Sequence, residues 1–353
     1  MERNIIDILK TAVSKEASDV FIVSGCPISI KANGLIQPLD TIKLNFKDTQ
    51  DLINQIYKLY DLGDMNQLLE TGDDDFSFSI SGFGRFRCNA YKQRGSLAAV
   101  LRLVKFELPK PKDLHIPAIV MDLYKKQRGL ILVTGPAGSG KSTTLACMID
   151  EINENTHKHL ITIEDPIEFI HPHKKSIVSQ REILQDTKGY NHALRAALRQ
   201  SPDVILLGEM RDFETIQTVL TAAETGQLVL STLHTVGAAK TIDRIIDVFS
   251  ASQQQQIRVQ LSMVLQAVIS QQLIPTTSGG LVPAFEIMVV NSAIRNMIRE
   301  SKIFQMDNVI YSGASEGMIT MDTDILRLYN EGTISKENAL LYCSNQDLMS
   351  KKL

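Results

Sequence analysis

The chain has 353 residues, of which 44% are hydrophobic and 22% are charged. This balance is typical of folded globular proteins, and the length predicts about two or three domains. With 37 basic against 40 acidic side chains, the net charge of −3 provides no general attraction to nucleic acids or anionic lipids. The composition therefore excludes a mainly disordered chain and leaves the binding partners open.

No apolar run approaches the roughly 20 residues that span a bilayer. Residues 1–19 scatter charges through an amphipathic pattern and lack the uninterrupted apolar core of a secretory signal. The four cysteines are far apart and form no CxxC pair, so they indicate neither a zinc site nor a disulfide framework. We therefore expect a cytoplasmic protein that does not cross a membrane.

Residues 1–108 are predicted to form a small α+β domain, mostly antiparallel sheet with helices. Asn33-Gly34 lies between two apolar runs and predicts a β-hairpin, because this dipeptide favours the tight turn of a two-residue loop. A second helix is expected to start with Asp48 or Thr49 as its cap and to run to about Tyr60. The domain therefore combines a hairpin with two or more helices.

Arginines are concentrated in the later strands of this domain. Arg85 and Arg87 share one face of a predicted strand, because alternate residues of a strand point the same way. Residues 97–104 are predicted as a further strand that carries Arg102, and Arg94 lies between the two strands. Four arginines are thus expected in one short segment of sheet, where they would ordinarily form a solvated face.

Prolines in residues 109–117 fix backbone angles and predict a stiff linker to a second domain, residues 118–353. Beyond the linker, short apolar runs alternate with long helical patterns, which is typical of a parallel sheet covered by helices. The runs are 130–133, 160–163, 204–207 and 228–230. From about residue 253 the pattern is purely helical through residue 273, and after one predicted strand at residues 284–290 the rest is helical to the end. The chain is therefore predicted to be an α/β protein with a helical C-terminal region.

A phosphate-binding motif, GxxxxGK[ST], lies between the first apolar run and a helical segment. Its glycines let backbone N–H groups converge on a phosphate, Lys141 can reach the β- and γ-phosphates, and the Ser142 hydroxyl can bind Mg²⁺. A glycine-rich turn that only caps a helix would not require all the fixed positions. The sequence therefore predicts that ATP and Mg²⁺ bind to Gly135, Pro136, Ala137, Gly138, Ser139, Gly140, Lys141, Ser142 and Thr143.

Two other apolar strands end in carboxylates, which such a site needs to hold the metal ion and to orient water. One ends in Glu209 and is similar to a Walker B strand; the other is followed by Glu164, Asp165 and Glu168. Either group could instead be solvated charge at a strand end. His234 follows a further strand and could sense phosphate, although a lone histidine is more often structural.

With these residues identified, the chain resembles the PilT branch of the type II and type IV secretion ATPases, the motors that retract type IV pili. The resemblance covers nearly the whole chain and rests on residues 18–34 and on the segments TIEDPIEF, ILLGEMRD and TGQLVLSTLHT. Its most specific part is similar to the C-terminal AIRNLIRE motif of retraction motors. We expect that motif to couple hydrolysis to retraction, and it comprises Ala293, Ile294, Arg295, Asn296, Met297, Ile298, Arg299 and Glu300.

The resemblance implies a PAS-like N-terminal domain, a RecA-like ATPase domain, and a homohexameric ring with nucleotide between the two domains. It implies that Glu168 activates water, that Glu209 holds Mg²⁺ with Ser142, and that His234 belongs to the catalytic site. It further implies a platform protein of the inner membrane as partner, so that the motor is peripheral to that membrane. Arginines of the N-terminal domain would approach the phosphates, and the candidates are Arg85, Arg87, Arg94 and Arg102.

Three positions depart from the family pattern. Ala137 replaces a common threonine at a variable position of the motif, so this change is mild. Met297 replaces leucine, which is also mild because the two side chains have similar volumes. Gln227 replaces the first histidine of the His box and cannot carry a proton, although it can still form hydrogen bonds. Any proton-linked role of that position is therefore not expected here.

Three alternatives to a retraction motor remain open. Pilus-assembly and type II secretion ATPases generally carry an extra N-terminal domain and a tetracysteine insert, and neither is found in this sequence. A RecA-like nucleic-acid translocase would favour a basic stripe interleaved with aromatic residues, which is absent, as is Trp. We therefore expect no nucleic-acid partner, and stimulation of the ATPase by DNA would revive that alternative. A turnover assay would distinguish an enzyme from a nucleotide-binding scaffold.

Overall fold

The computed structural model describes residues 3–32, 34–59, 64–80, 84–104 and 108–353. The chain divides into two compact units, residues 1–107 with 168–170, and residues 108–167 with 171–353. In the described part of the chain, every helix is too short or too polar to span a membrane.

An antiparallel sheet forms the centre of the first unit. Its strands are β1 (Asp19–Ile22), β2 (Ser29–Ala32), β3 (Leu35–Pro38), β4 (Asp73–Ile80), β5 (Gly84–Gln93) and β6 (Ser96–Val104). Among the described residues of this unit, six strands pair in the order β3-β2-β1-β6-β5-β4. The helices are α1 (Ile5–Ser14), α2 (Phe46–Leu59) and α3 (Asn66–Thr71). Apolar residues of these helices, such as Leu9 and Ile53, share one core with Ile22 and Phe86 of the sheet.

The predicted hairpin is confirmed by the pairing of β2 with β3, in which Ala32 lies opposite Leu35. Asn33 lies outside the described residues. The predicted cap of α2 is wrong, because Asn45 precedes the helix and its Oδ1 accepts from the Asp48 N–H at 3.0 Å. The Asp48 carboxylate accepts in return from the Asn45 N–H at 2.8 Å. This reciprocal pair is a capping box, so neither Asp48 nor Thr49 is the cap itself.

The second unit is built on a larger sheet that is parallel except at one edge. Its strands are β7 (Gly129–Thr134), β8 (His159–Glu164), β9 (Ile177–Glu182), β10 (Val204–Leu207), β11 (Leu228–Leu233), β12 (Leu265–Pro275) and β13 (Leu281–Val289). In this unit, whose residues 108–353 are all described, seven strands pair in the order β13-β12-β7-β11-β10-β8-β9. Only β13, paired with β12, is antiparallel to its neighbour within this described region.

Helices cover both faces of this sheet. They are α4 (Ala118–Asp122), α5 (Lys141–Asn155), α6 (Tyr190–Ala197), α7 (Phe213–Glu224), α8 (Ala238–Asp247), α9 (Ala251–Val264), α10 (Ser292–Arg299), α11 (Met306–Ser312), α12 (Met321–Asn330), α13 (Lys336–Tyr342) and α14 (Gln346–Ser350). Leu130 and Leu132 of β7 pack into one apolar core, whereas Ile131 and Val133 pack into another. A strand buried on both faces needs apolar side chains throughout, which explains the continuous runs in the sequence.

The prediction of a purely helical region from about residue 253 is wrong. Helix α9 ends at Val264, and the following eleven residues form β12, which pairs with both β7 and β13. A short apolar run fits a buried strand and a buried helix equally well, and pairing partners distant in sequence decide between them. The predicted strand at residues 284–290 is confirmed as β13.

Candidate nucleotide site

The phosphate-binding motif connects the buried strand β7 to helix α5, which begins at Lys141. Gly138 and Gly140 have φ angles of 76° and 87°, which L side chains rarely adopt. A Cβ on Gly135 would lie 2.1 Å from the backbone oxygen of Gln271, and a Cβ on Gly140 would lie 2.8 Å from Gln271 Nε2. The loop therefore requires glycine because it closes tightly against β12.

Polar groups of the loop are buried where they could meet a phosphate. Lys141 is buried, and its Nζ donates to the carbonyl oxygens of Gly135 at 2.9 Å and Pro136 at 2.8 Å. The hydroxyls of Thr134 and Ser139 are buried and have no hydrogen-bond partner among the described residues. Leaving a buried donor without a partner costs about 1–3 kcal/mol. The loop therefore fits a nucleotide phosphate, which would accept such bonds.

The remaining residues of the motif lie closer to solvent. Pro136, Ala137 and Gly138 form the exposed tip of the loop. Ser142 is exposed and Thr143 is half-buried in the first turn of α5. The Ser142 hydroxyl can therefore be reached by a metal ion from solvent.

The buried side chain of Gln271, which the sequence did not single out, supports the motif from β12. Its Oε1 accepts a hydrogen bond of 2.8 Å from Thr144 Oγ1, and its Nε2 lies beside Gly140. Gln271 thus contacts the loop and the first turn of α5 together. The sequence misses it because the helical pattern predicted through residue 273 gives no reason to place Gln271 beside the loop.

The sheet topology aligns the predicted site segments along one edge. Leu207 of β10 lies opposite Ile163 of β8 and Ser231 of β11, and Leu233 of β11 lies opposite Thr134 of β7. These strands are parallel, so the segments that follow them emerge at the same edge of the sheet. The sheet therefore brings the phosphate loop, His234, Glu209 and Glu164 to one side of the second unit.

Glu209 is in contact with two basic side chains. Its carboxylate, only 13% exposed, lies 2.5 Å from Arg211 Nη2 and 3.4 Å from His234 Nε2. These three residues line a cavity of about 230 Å³ with Thr232 and Arg244. The structure thus places His234 directly on the predicted metal-binding carboxylate, a contact that the spacing alone did not indicate.

The carboxylates that follow β8 lie in different environments. Glu164 Oε1 accepts from Thr162 Oγ1 at 2.6 Å and from Gln180 Nε2 at 3.3 Å, so this carboxylate is held by side chains of the sheet. Asp165 and Glu168 are exposed. Residues 168–170 group with the first unit, so Glu168 is not among the strand-end residues that the second sheet aligns.

Tyr190, at the start of α6, is a second residue that the sequence did not indicate. Its hydroxyl lies 2.9 Å from the position that a Cβ of Gly208 would occupy. Burial raises the pKa of Tyr190, and the negative charges of Asp165 and Glu209 raise it further. The phenol therefore remains a protonated donor near these carboxylates.

The four candidate arginines of the first unit do not form one group. Arg87 lies directly opposite Arg102 in the pairing of β5 with β6, and Arg85 lies on the same face of β5. Arg94 is in the turn at the other end of β5, and nine residues at about 3.3 Å each separate it from Arg85 by roughly 30 Å. The turn between β5 and β6 therefore places Arg94 between the two strands, as predicted, but far along the hairpin from the other three arginines.

Arg87 and Arg102 form ion pairs within the first unit. Arg87 binds Asp75 through two hydrogen bonds, Nε to Oδ1 at 3.1 Å and Nη2 to Oδ2 at 2.5 Å. Arg102 Nε donates to Asp19 Oδ1 at 3.0 Å, and Asp19 is buried while Arg102 is 71% exposed along its side chain. The carboxylates fix the direction of both guanidinium groups.

The predicted coupling motif forms α10, in which Ile294 and Ile298 are buried. Arg295 is half-buried, and its Nη1 donates to the carbonyl oxygens of Ser262 at 2.6 Å and Met263 at 3.0 Å. Carbonyls in the last turn of a helix lack partners within that helix, so Arg295 caps the C-terminus of α9. Arg295 is therefore engaged within the second unit and is not a fully solvent-facing group.

The outward face of α10 consists of other motif residues. Ala293, Asn296, Arg299 and Glu300 are exposed, and Met297 is half-buried against the core. Ala293 lies one position before the buried Ile294 and is not part of the apolar face. In the described part of the chain, no group of three or more His, Cys, Asp or Glu side chains is arranged to hold a metal ion.

A glycine-restricted loop between a buried parallel strand and a helix, beside strand-end carboxylates, defines a P-loop nucleotide-binding protein. The family model described as type II/IV secretion system protein matches residues 1–316. The chain belongs to this family.

Individual relatives are similar along nearly the whole chain. The type IV pilus retraction ATPase PilT of Pseudomonas aeruginosa is 46% identical over 336 residues, covering 95% of this chain and 97% of the relative. A twitching motility protein of Neisseria gonorrhoeae is 43% identical over 348 residues, covering 98% and 92%. The crystal structure of the pilus retraction motor PilT with bound ADP superimposes with a TM-score of 0.91 and 47% identity, covering 99% of this chain and 100% of that one.

Proposed function

We propose that this chain is an ATPase whose hydrolysis cycle powers the retraction of type IV pili. The observation that carries the proposal is the similarity, along nearly the whole of both chains, to a pilus retraction motor that binds ADP. The phosphate loop supports it independently, because the buried hydroxyls of Thr134 and Ser139 and the Lys141 ammonium suit a phosphate. Retraction-dependent twitching motility is the cellular activity that follows.

Each residue of the site has a separate role in ATP hydrolysis. Lys141 and the backbone of the loop hold the β- and γ-phosphates, and the helix N-terminus of α5 adds a favourable field. Ser142 and Glu209 hold Mg²⁺, directly or through water; when bound, that ion neutralises charge on the phosphate oxygens. Glu168 activates the attacking water, and His234 orients Glu209 from 3.4 Å. Arginines among Arg85, Arg87 and Arg102 neutralise charge at the γ-phosphate.

The proposed architecture follows the family. Residues 1–108 form a PAS-like domain, residues 109–117 a linker, and residues 118–353 a RecA-like ATPase domain whose C-terminal part combines β12 and β13 with helices. Six copies assemble into a ring, and assembly tightens with nucleotide. The ring works in the cytoplasm, peripheral to the inner membrane, on a pilus platform protein, and nucleic acid does not take part.

A turnover assay tests the chemical part of the proposal. Lys141→Ala should abolish Mg²⁺-dependent ATP hydrolysis, and Glu168→Gln should bind ATP but not hydrolyse it. Substantial hydrolysis by Glu168→Gln would move the catalytic role to Glu164 or Asp165. Sedimentation with a non-hydrolysable ATP analogue should show a hexamer, and only monomer at micromolar concentration would contradict the ring.

A deletion strain tests the cellular part. Cells that lack the gene should carry surface pili but should not twitch, and the wild-type gene should restore twitching. Bald cells would instead identify an assembly motor. Stimulation of the ATPase by DNA would favour a nucleic-acid translocase.

A further inference from the structure

The loop that carries Glu168 begins where β8 ends and returns to the second unit at His171. The edge strand β9 runs parallel beside β8, with Thr162 opposite Gln180 and Glu164 opposite Glu182. The side chains of Gln180 and Glu182 bond to residues on both sides of residues 168–170. Strand β9 therefore supplies the anchors of this loop.

Glu182 holds the residue that precedes Glu168. Its carboxylate is buried, with only 4% of the residue exposed, and its Oε2 accepts from the Ile167 N–H at 3.0 Å. The backbone of Glu182 is itself fixed, because its N–H donates to Asp186 Oδ2 at 2.7 Å. A hydrogen bond to a charged, buried acceptor is stronger than one between neutral groups, so the Ile167 backbone is held firmly.

Gln180 bridges the two ends of the loop. Its Nε2 donates to Glu164 Oε1 at 3.3 Å, and its Oε1 accepts from the His171 N–H at 2.8 Å. One amide thus links the last residue of β8 to the residue at which the loop returns. Both strands could pair without these side-chain bonds, because the β8–β9 ladder is formed by backbone groups.

We infer that Glu182 and Gln180 are positioning residues, which fix the backbone on either side of Glu168 and so set the position of its carboxylate. This inference rests on the proposed role of Glu168 in activating water. The geometry of a reacting group matters strongly, since a displacement of about 1 Å can lower a rate by roughly 10²-fold. Glu182 fixes the backbone beside Glu168 from strand β9 and does not itself need to contact substrate.

Steady-state kinetics of four variants test the inference: Glu182→Ala, Glu182→Gln, Gln180→Ala and Ser179→Ala. Glu182→Ala should lower kcat at least tenfold, while KM and the affinity for a fluorescent ADP analogue change less than about twofold. Glu182→Gln should recover kcat to within about threefold of the wild type, because its amide oxygen can still accept from Ile167. Gln180→Ala should lower kcat by an intermediate factor.

Ser179→Ala is the matched control. Ser179 is on the same strand, but its hydroxyl bonds to His159 Nε2 at 3.0 Å, at the opposite end of β8 from the loop. Loss of the Ser179 hydroxyl should leave kcat within twofold of the wild-type value. If Glu182→Ala does not fold, as judged by urea unfolding, Gln180→Ala provides the test.

Three results would overturn the inference, and they differ in what else they overturn. Wild-type kcat in Glu182→Ala and Gln180→Ala, beside an inactive Glu168→Gln, would remove the positioning role alone. Full activity of Glu168→Gln would remove the catalytic role of Glu168 and the inference together. Equal losses in kcat and in nucleotide affinity for Glu182→Ala would indicate a purely structural residue and would also overturn it.

Discussion

Thr144 Oγ1 donates a hydrogen bond of 2.8 Å to Gln271 Oε1, and both side chains are buried. This bond joins the first turn of α5 to the strand against which Gly135 and Gly140 close. The support of the phosphate loop therefore comes from a strand that is remote in sequence.

Thr144→Val should destabilise the protein by about 1–3 kcal/mol, because it leaves the Gln271 acceptor buried without its partner. It should also raise the KM for ATP several-fold, since Gln271 packs beside Gly140. Urea unfolding and steady-state kinetics measure the two effects. Thr144→Ser keeps the hydroxyl and should behave nearly as wild type; wild-type stability and KM in Thr144→Val would contradict the role of the bond.

The arginines of the first unit should differ in their effect on turnover according to their position on the sheet. Alanine at Arg94 should change kcat by less than about twofold, because the β5–β6 turn carries it far from the others. Alanine substitution of at least one of Arg85, Arg87 and Arg102 should lower kcat by about 10³-fold or more, as expected for the loss of an arginine finger.

Single alanine variants assayed at saturating ATP measure this difference. A large loss of kcat in Arg94→Ala would contradict the separation of Arg94 from the other three arginines. Wild-type turnover at all four positions would move the role to Arg195, Arg199 or Arg211 of the second unit.

Stability should fall as the pH is lowered through the range in which His171 titrates. Burial lowers its pKa from the ordinary 6.5 to about 4; the Asp150 charge opposes the shift and Lys174 adds to it. Below about pH 6.5 the unfolded chain takes up a proton that the folded chain does not, so the stability present above that pH declines until about pH 4. At about 1.4 kcal/mol per pKa unit, the loss amounts to ~3 kcal/mol.

The urea concentration at the midpoint of unfolding, measured from pH 7.5 to pH 4, reports this loss of stability. His171→Gln removes the titrating ring and should flatten the slope between pH 6.5 and pH 4. An unchanged slope in the variant would assign the acid sensitivity to carboxylates.

Local patterns predicted the phosphate loop well, because the motif, its strand and its helix are contiguous in the chain. The β2–β3 hairpin was predicted for the same reason. Contacts between distant residues left no such pattern: Thr144 and Gln271 are 127 positions apart, and Arg295 and Ser262 are 33 apart. Residues 265–273 are predicted as helix from their local pattern, because only their pairing with β7 and β13 makes them a strand.

The capping of α9 by Arg295 separates two roles within the coupling motif. Arg295 and Arg299 are four positions apart on α10, and like charges at this spacing oppose helix stability by ~0.2–0.5 kcal/mol. Arg295 offsets that cost by bonding two carbonyls of α9. Arg299 has an exposed side chain on the outward face. We therefore expect Arg295 to support the structure and Arg299 to dock against the partner that receives the stroke.

Arg295→Ala should lower stability by about 1–2 kcal/mol, since two carbonyls lose a charged donor. Arg299→Ala should change stability by less than about 0.5 kcal/mol, as is usual for an exposed position. Both variants, and the double variant, should keep ATPase activity largely intact, because α10 is not part of the nucleotide site. Cells with Arg299→Ala should keep surface pili but lose twitching.

Urea unfolding, ATPase assays and twitching zones of the two single variants together distinguish the roles. Lys at position 299 keeps the charge and should retain part of the twitching, which makes Arg299→Lys the matched control. Normal twitching with Arg299→Ala, and its loss only with Arg295→Ala, would contradict docking through Arg299. The motif would then act by shaping the end of α9, from which the chain leads directly into β12 and on to Gln271 beside the phosphate loop.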